Sequence, residues 1–380
     1  MKRFFRTDWM LILPALFIFG TGLLSLYGIS VTGNAWSLSG SYFLRQAVFG
    51  AIGISIMVFF QFLDYRHLVR FGTHFYFLSI VALLVVLVFG RTVNGTSGWI
   101  SFGFFRFQPV EAVKIALILF LARFIVEKRS ELGEWVRIVA SLVLSSLLIF
   151  LVLRQPDLGS ALTLAAIWGG MILVSGIRVR HILVLFLTGI AIATAGWFFL
   201  EGYQRDRIEI FLHPESDPQG SGYNVLQAMV AVGSGGVTGK GVGYGSQSQL
   251  NFLPEKHTDF IFATIAEELG LVGVGAVLVA YGVLLFRAWK IADQSVDNAG
   301  YLIAVGAQVY FLVQITVNVG MNMGLLPVAG LPAPFLSYGG SSLVASFTIT
   351  GLLLSISQQG SGLRARSFGS VSSGEEISLI

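Results

Sequence analysis

The sequence predicts an all-α polytopic membrane protein, with about ten transmembrane helices and a large extracytoplasmic loop between the seventh and the eighth. Three observations carry this prediction. Of 380 residues, 55% are hydrophobic and 12% are charged, against about 25% charged in soluble domains. Apolar runs of about 20 residues recur, long enough to cross a hydrocarbon core of roughly 30 Å. One long polar, glycine-heavy stretch, 201–257, separates two of these runs. With most of the chain in the bilayer, residues 1–358 form a single membrane domain and 359–380, rich in Ser and Gly, a flexible cytoplasmic tail. The net charge of +4 is small and spread among loops, which argues against a nucleic acid partner. Cysteine is absent, so disulfide and thiolate chemistry are excluded.

In chain order, Lys2, Arg3 and Arg6 precede an apolar run at 9–30. That run exceeds the 7–15 apolar residues of a signal peptide and is predicted to be retained as the first span. Further spans are predicted at 42–62, 75–89, 109–126, 136–153, 159–176, 181–200, 258–286, 300–323 and 341–358. Basic residues set the orientation. With the N-terminus inside, the inner segments hold Lys2, Arg3, Arg6, Arg66, Arg70, Lys128, Arg129, Arg137, Arg178, Arg180, Arg287, Lys290, Arg364 and Arg366, whereas the short outer loops hold only Arg45, Arg91, Arg106 and Arg154. Both termini are therefore expected in the cytoplasm. Of the connections on the outer face, four are singled out: 90–108, the turn at 154–158, the loop 201–257, and the Pro/Gly-rich 324–340. The loop shows no apolar periodicity from which to build a core of its own.

Acidic residues gather at these outer ends. Glu111 follows Pro109 at the start of the fourth span, three residues before Lys114, so the two are neighbours on the helix surface. This reads either as a neutralised pair that makes a polar helix tolerable in lipid, or as Lys114 positioning Glu111 inside a site. Asp157 follows Pro156 at the next outer turn, where a helix cap is the plain reading. Thr258 and Asp259 stand at the mouth of the eighth span, and a cap is an alternative there too. On an ideal helix Asp259 would share a face with Phe262, Ala263, Ala266 and Gly270, while Glu267 and Glu268 point elsewhere and read as structural acids.

An ionisable group at the edge of the bilayer is costly and points to function. Asp259 therefore reads as a catalytic base acting on a lipid-linked sugar. Arg205, Arg207, Lys240, Lys256 and His257 are candidate contacts for a pyrophosphate or lipid headgroup, with ordinary contact to anionic lipid as the plainer alternative. A diphosphate is a good leaving group, so one carboxylate suffices to deprotonate the attacking hydroxyl; such catalysis contributes roughly 10²–10⁴-fold. In 330–342, two prolines and a diglycine forbid a plain helix. Ser337, Tyr338, Gly339, Gly340 and Ser341 are predicted to wall a groove, or else form a simple surface turn.

The stretches FQPVEAVKIAL (107–117), RQPDLGSAL (154–162), YQRDRIEIFLHPESDPQGSGYNVLQ (203–227), AVGSGGVTGKGVGYGSQSQLNFLPEKHTDFIFATIAEELG (231–270) and GLPAPFLSYGGSS (330–342) resemble the SEDS family of peptidoglycan glycosyltransferases, nearer its rod-shape branch than its division branch. The resemblance covers nearly the whole chain. It implies a ten-span, inverting enzyme of the bacterial cytoplasmic membrane that polymerises lipid II for cell elongation. Asp259 matches the family's essential aspartate, and Glu111, Lys114 and Asp157 match positions that shape its site. A class B penicillin-binding transpeptidase is the implied partner, contacting about 258–323. A divalent cation, Mg or Mn, is compatible with the family, although no ligand cluster in the sequence demands one. A lipid II flippase, a division-type polymerase of the same family and a scaffold that only recruits the transpeptidase are the alternatives. Transporter sites generally lie near the bilayer midplane on broken helices, whereas the polar groups here gather at one end.

Overall fold

The structure, a computed structural model, describes residues 7–32, 41–93, 96–102, 105–196, 202–217, 220–250 and 252–371. Lys2, Arg3 and Arg6 of the basic start, and 372–380 of the tail, lie outside the described residues. Fourteen α-helices are described: α1 (Trp9–Thr32), α2 (Tyr42–Phe62), α3 (Tyr65–Arg70), α4 (Gly72–Phe89), α5 (Pro109–Glu127), α6 (Glu134–Leu153), α7 (Leu158–Leu173), α8 (Val179–Gly196), α9 (Gly202–Leu212), α10 (Ser221–Ser234), α11 (Ser246–Gln249), α12 (Ile261–Asp293), α13 (Asn298–Asn322) and α14 (Gly340–Val371). Over their described residues, each of the ten predicted spans falls on one of them; 197–200 of the seventh lie outside the described residues.

Among the described residues, α1, α2, α4, α6, α12, α13 and the Gly340–Gln359 part of α14 are long and apolar enough to cross a membrane. The chain is a multi-pass membrane protein. Leu158–Leu173 and Val179–Ala191 are apolar but shorter, and α5 carries Glu111, Lys114 and Arg123. That charge explains where α5 sits. It is enclosed by α4, α7 and α13, with Leu117, Leu121 and Ala122 fully buried, whereas Phe77, Leu78, Val81 and Val88 of α4 face outward as lipid-facing side chains should. Short polar caps start several helices where the sequence supplies them. Ser41 accepts from Leu44 N at 3.3 Å, Asp157 from Ser160 N at 2.9 Å and Asp297 from Gly300 N at 2.7 Å, each satisfying an otherwise orphaned amide.

The start of α1, the later part of α12 and α14 meet through one carboxylate. Asp8 Oδ2 is 2.6 Å from Arg287 Nη2, near the far end of α12 from Asp259, and accepts from Ser357 Oγ of α14 at 3.0 Å.

Four features depart from the sequence reading. The outer connection 90–108 is not plain loop. It forms a three-stranded antiparallel sheet of β1 (Arg91–Val93), β2 (Thr96–Phe102) and β3 (Phe105–Phe107) in the order β1-β2-β3, with Arg91 opposite Trp99 and Ile100 opposite Phe107. The loop 201–257 holds α9, α10, α11 and a short 3-10 turn, Pro214–Ser216. It shares a small core with the head of α12, in which Ala228 and Ala231 pack with Leu253, Phe260 and Ala263. That core is completed by Phe260 and Ala263 from beyond the loop, so 201–257 read alone does not display it. Within the tail, 359–371 is helical, since α14 runs on to Val371.

Finally, α12 breaks at Gly270, whose φ of 65° and ψ of −164° lie in a region that is essentially glycine-only. A break inside a span orphans main-chain groups, and in lipid these must find partners. Residues 236–241 of the glycine-rich loop supply them. Lys240 N donates to Glu267 O at 3.0 Å, Gly241 N to Glu268 O at 2.9 Å, Leu271 N to Gly236 O at 2.9 Å and Val272 N to Val237 O at 3.1 Å. Side chains add to the seam. Buried Glu267 accepts from Lys240 Nζ, Gln247 N and Ser248 N at 2.9–3.0 Å, and Glu268 accepts from Gly243 N at 3.0 Å and Ser25 Oγ at 3.2 Å.

A Cβ at position 270 would stand 2.3 Å from Gly239 N. Gly270→Ala is therefore expected to destabilise the protein by about 2–4 kcal/mol, combining backbone strain with overpacking. Lower melting temperature in detergent, with faster proteolysis within 236–249, is the measurement that checks it.

Candidate active site

A cavity of about 170 Å³ lies at the head of α12, and each of the connections 90–108, 154–158, 201–257 and 324–340 contributes to its walls. Thr96, Trp99 and Gln108 come from the first, Pro156, Asp157 and Leu158 from the second, and Arg207 from the third. Thr258 and Asp259 follow, Val328, Ala329, Gly330, Pro332, Tyr338 and Gly339 close it from the fourth, and Ser341 and Ser342 at the start of α14 complete it. The sheet explains how Thr96 and Trp99 arrive there. Ser97 N donates to Gln155 O at 3.2 Å, tying β2 to the turn that carries Asp157.

Asp259 stands in a turn before α12 rather than on it, since the helix begins at Ile261. The face it was expected to share with Phe262 and Gly270 therefore does not exist. Nor is it a cap: the N-cap is Phe260, which has no side-chain cap bond, and Thr258 Oγ1 donates instead to Glu255 Oε2 at 2.8 Å. The turn is held through its main chain. His257 O accepts from Tyr338 N at 2.9 Å and Thr258 O from Ser337 Oγ at 2.8 Å. Asp259 O accepts from Asn322 Nδ2 at 2.9 Å and Asn318 Nδ2 at 3.2 Å. Burial pushes the Asp259 carboxyl up to about 6; Glu255 and Asp157 push the same way and Arg207 opposes them.

Asp157 both caps α7 and lines the cavity. Its Oδ1 accepts from Ser160 N, and its Oδ2 accepts from Gln108 Nε2 at 3.2 Å. Gln108 N donates in turn to Ser341 Oγ at 3.0 Å, so the start of α5, the start of α7 and the diglycine loop form one connected wall. Glu111 and Lys114 lie elsewhere. Lys114 Nζ donates to Glu111 Oε1 at 2.8 Å with both side chains buried, and Tyr310 OH donates to Glu111 Oε2 at 3.3 Å. Neither residue lines the cavity; the pair sits within the bundle, between α5 and α13.

The predicted cations separate in the same way. Arg207 lines the cavity, with Nη1 donating to Val328 O at 3.0 Å. Arg205 is exposed on α9 and is not among the lining residues. Lys240 Nζ is bound to Glu267, Ser234 Oγ and Ser246 Oγ at 2.9–3.0 Å. Lys256 Nζ donates to Ser248 O; burial pulls its ammonium pKa down, against Glu268. The His257 ring stacks on Tyr42 at 4.0 Å between centroids, and burial lowers its pKa, opposed by Glu255. Three of the five cations thus brace the loop and one faces the cavity.

In the groove loop, Tyr338, Gly339 and Ser341 line the cavity, whereas Ser337 and Gly340 do not. The loop is held by residues the sequence reading missed. Buried Gln46 of α2 donates to Ser337 O at 2.9 Å and accepts from Gly339 N at 3.2 Å, and Tyr281 OH donates to Pro334 O at 2.7 Å. The available signal for Gln46, Asn318 and Asn322 was an amide side chain inside an otherwise apolar run. Among the described residues no three acidic or histidine side chains gather in a way that could hold a metal ion. Asp157 and Asp259 are the two carboxylates on the cavity wall.

The chain matches the family FTSW_RODA_SPOVE, described as cell cycle protein, over residues 8–362. It is 40% identical over 326 residues to the peptidoglycan glycosyltransferase MrdB of Escherichia coli strain K12, covering 84% of this chain and 88% of the relative. Among solved structures it resembles a chain of a peptidoglycan synthase complex in which polymerization and crosslinking are structurally coordinated, with a TM-score of 0.77 and 33% identity over 93% of this chain and 98% of that one. It also resembles the rod shape determining protein RodA of Thermus thermophilus, with a TM-score of 0.67 and 28% identity over 93% and 97%. With the family match spanning almost its full length, the chain belongs to the FtsW/RodA/SpoVE family of cell cycle proteins.

Proposed function

We propose that the chain is an inverting peptidoglycan glycosyltransferase that joins lipid II disaccharide units into glycan strands, with Asp259 as its general base. The observation that carries this reading is the cavity where Asp259 and Arg207 face the same space. The 4-hydroxyl oxygen of one sugar forms a bond to C1 of the lipid-linked strand. The C1–O bond to diphosphate breaks, its electron pair leaves with the lipid diphosphate, and the hydroxyl proton passes to Asp259. One displacement inverts the anomeric centre. Arg207 offsets charge on the departing diphosphate, as a guanidinium suits. A Mg or Mn ion would enter with the diphosphate, whose oxygens supply the ligands that a cation of this kind needs beyond one or two carboxylates.

The 40% identity to a relative named as a peptidoglycan glycosyltransferase supports this activity. The rod-shape name of a structural neighbour supports a role in elongation. Ten crossings of the bacterial cytoplasmic membrane, both termini inside, agree with the basic-residue bias and with the Asp8–Arg287–Ser357 contacts at the end away from the cavity. The partner is read as a class B penicillin-binding transpeptidase docking on 258–323. In support, the neighbouring complex couples polymerization to crosslinking, and α12 exposes Leu271, Val272 and Val279 outward. A flippase draws some support from the broken α12, but the break is filled by the main chain of 236–241 rather than open to a substrate.

Asp259→Ala is expected to abolish strand synthesis from labelled lipid II while the purified protein stays folded and partner-bound. Normal synthesis by that variant would refute the base assignment. A base must be ionised, and the Asp259 pKa lies near 6. Activity is therefore expected to fall as pH drops through about 6 and to plateau above it, read from kcat/KM against pH. Because Arg207 lowers that pKa, Arg207→Ala is expected to move the acid limb to higher pH. It should also raise KM for lipid II about tenfold, as loss of a charged contact does.

A further inference from the structure

The geometry points to Asn318 and Asn322 as positioning residues that fix the Asp259 turn against the cavity wall, a proposal that rests on the reading of Asp259 as the base. The head of α12 lacks a local cap, since Phe260 occupies the N-cap position without a side-chain acceptor. First-turn amides need partners, and a neighbouring helix provides one. Asn322 Oδ1 accepts from Ala263 N at 3.0 Å, while its Nδ2 donates to Asp259 O at 2.9 Å and to Asn318 O at 2.8 Å. One amide group thus caps α12 from α13 and grips the residue two positions before the helix.

Asn318 lies one helical turn earlier on the same face of α13. Its Nδ2 donates to Asp259 O at 3.2 Å and to Leu331 O at 2.8 Å. The second contact matters because Leu331 adjoins Gly330, where a Cβ would stand 4.0 Å from Asp259 Oδ2. The same amide nitrogen therefore holds the turn that carries the carboxylate and the loop that faces it. With both asparagines donating, the Asp259 carbonyl has a donor for each lone pair. Both side chains are fully buried, so water cannot replace these bonds cheaply. The carboxylate's place relative to a sugar hydroxyl is then set by α13, and a displacement of about 1 Å at such a group can cost 10²-fold in rate.

The test measures strand synthesis by the full-length protein against lipid II concentration. It compares Asn318→Ala, Asn322→Ala and the milder Asn318→Ser and Asn322→Ser with two controls. Val317→Ala removes buried packing from α13 without touching these bonds, and Asp259→Ala tests the underlying reading. The alanine variants are expected to lower kcat by about tenfold or more with KM within about twofold, and the serine variants by less in the same direction. Val317→Ala, with a similar loss of melting temperature, should keep kcat within about twofold. Should an alanine variant fail to fold, the serine variants decide the matter. Asparagine variants with normal kcat beside an inactive Asp259→Ala would overturn the positioning role and leave the base intact. A kcat loss equalled by Val317→Ala would reduce the asparagines to packing. Activity in Asp259→Ala would remove the base itself and the proposal with it.

Discussion

Three successive main-chain carbonyls, those of His257, Thr258 and Asp259, each accept a hydrogen bond from another part of the bundle, and the shape of the site depends on them. At the edge of a bilayer, irregular backbone persists only where the protein itself supplies partners. The loop at 330–339 meets the same requirement. Gln46 of α2, Tyr281 of α12 and Asn318 of α13 reach its main chain from three sides. Neutral amides and hydroxyls suit this task, because they satisfy backbone groups without burying a net charge. Two segments that could not be helices are thereby held rigidly enough to form opposite walls of one cavity.

The acids divide by how their charge is met. Glu111 is neutralised by Lys114 within the bundle, and Glu267 by Lys240 and two main-chain amides at the seam with the glycine-rich loop. Asp157 spends one oxygen on a helix cap. Among the described residues, no cation lies within salt-bridge distance of Asp259. Its carboxyl is held high by burial and by neighbouring acids, so at neutral pH it is an ionised group with appreciable proton affinity. That combination suits a base better than a brace does, and it sits on the cavity wall while the neutralised acids do not.

The long apolar helices were legible because length and hydropathy alone define them, and 90–108, 154–158, 201–257 and 324–340, all assigned to one side, do meet at one cavity. Asp259, Asp157 and Arg207 were legible for a related reason, since charge near the end of an apolar run has few explanations. The three-stranded sheet was hidden in a short Gly-, Ser- and Phe-rich connection. The small core under the long loop was hidden because Ala228 and Ala231 bury little area individually. From their sequence neighbourhood alone, Lys240 and Lys256 look like substrate contacts. Their partners, Glu267 and Ser248 O, become visible only once the loop folds back on α12. The amides that hold the site were the least visible, because one Gln or Asn inside an apolar span carries no period and no motif.

The most direct measurement is a structure of the Asp259→Asn variant with a lipid-linked disaccharide bound. The diphosphate is expected beside Arg207 and the attacking sugar's 4-hydroxyl within hydrogen-bond reach, about 3 Å, of the side chain at 259. A sugar seated away from residue 259, or a diphosphate held at the opposite end of the bundle, would contradict it.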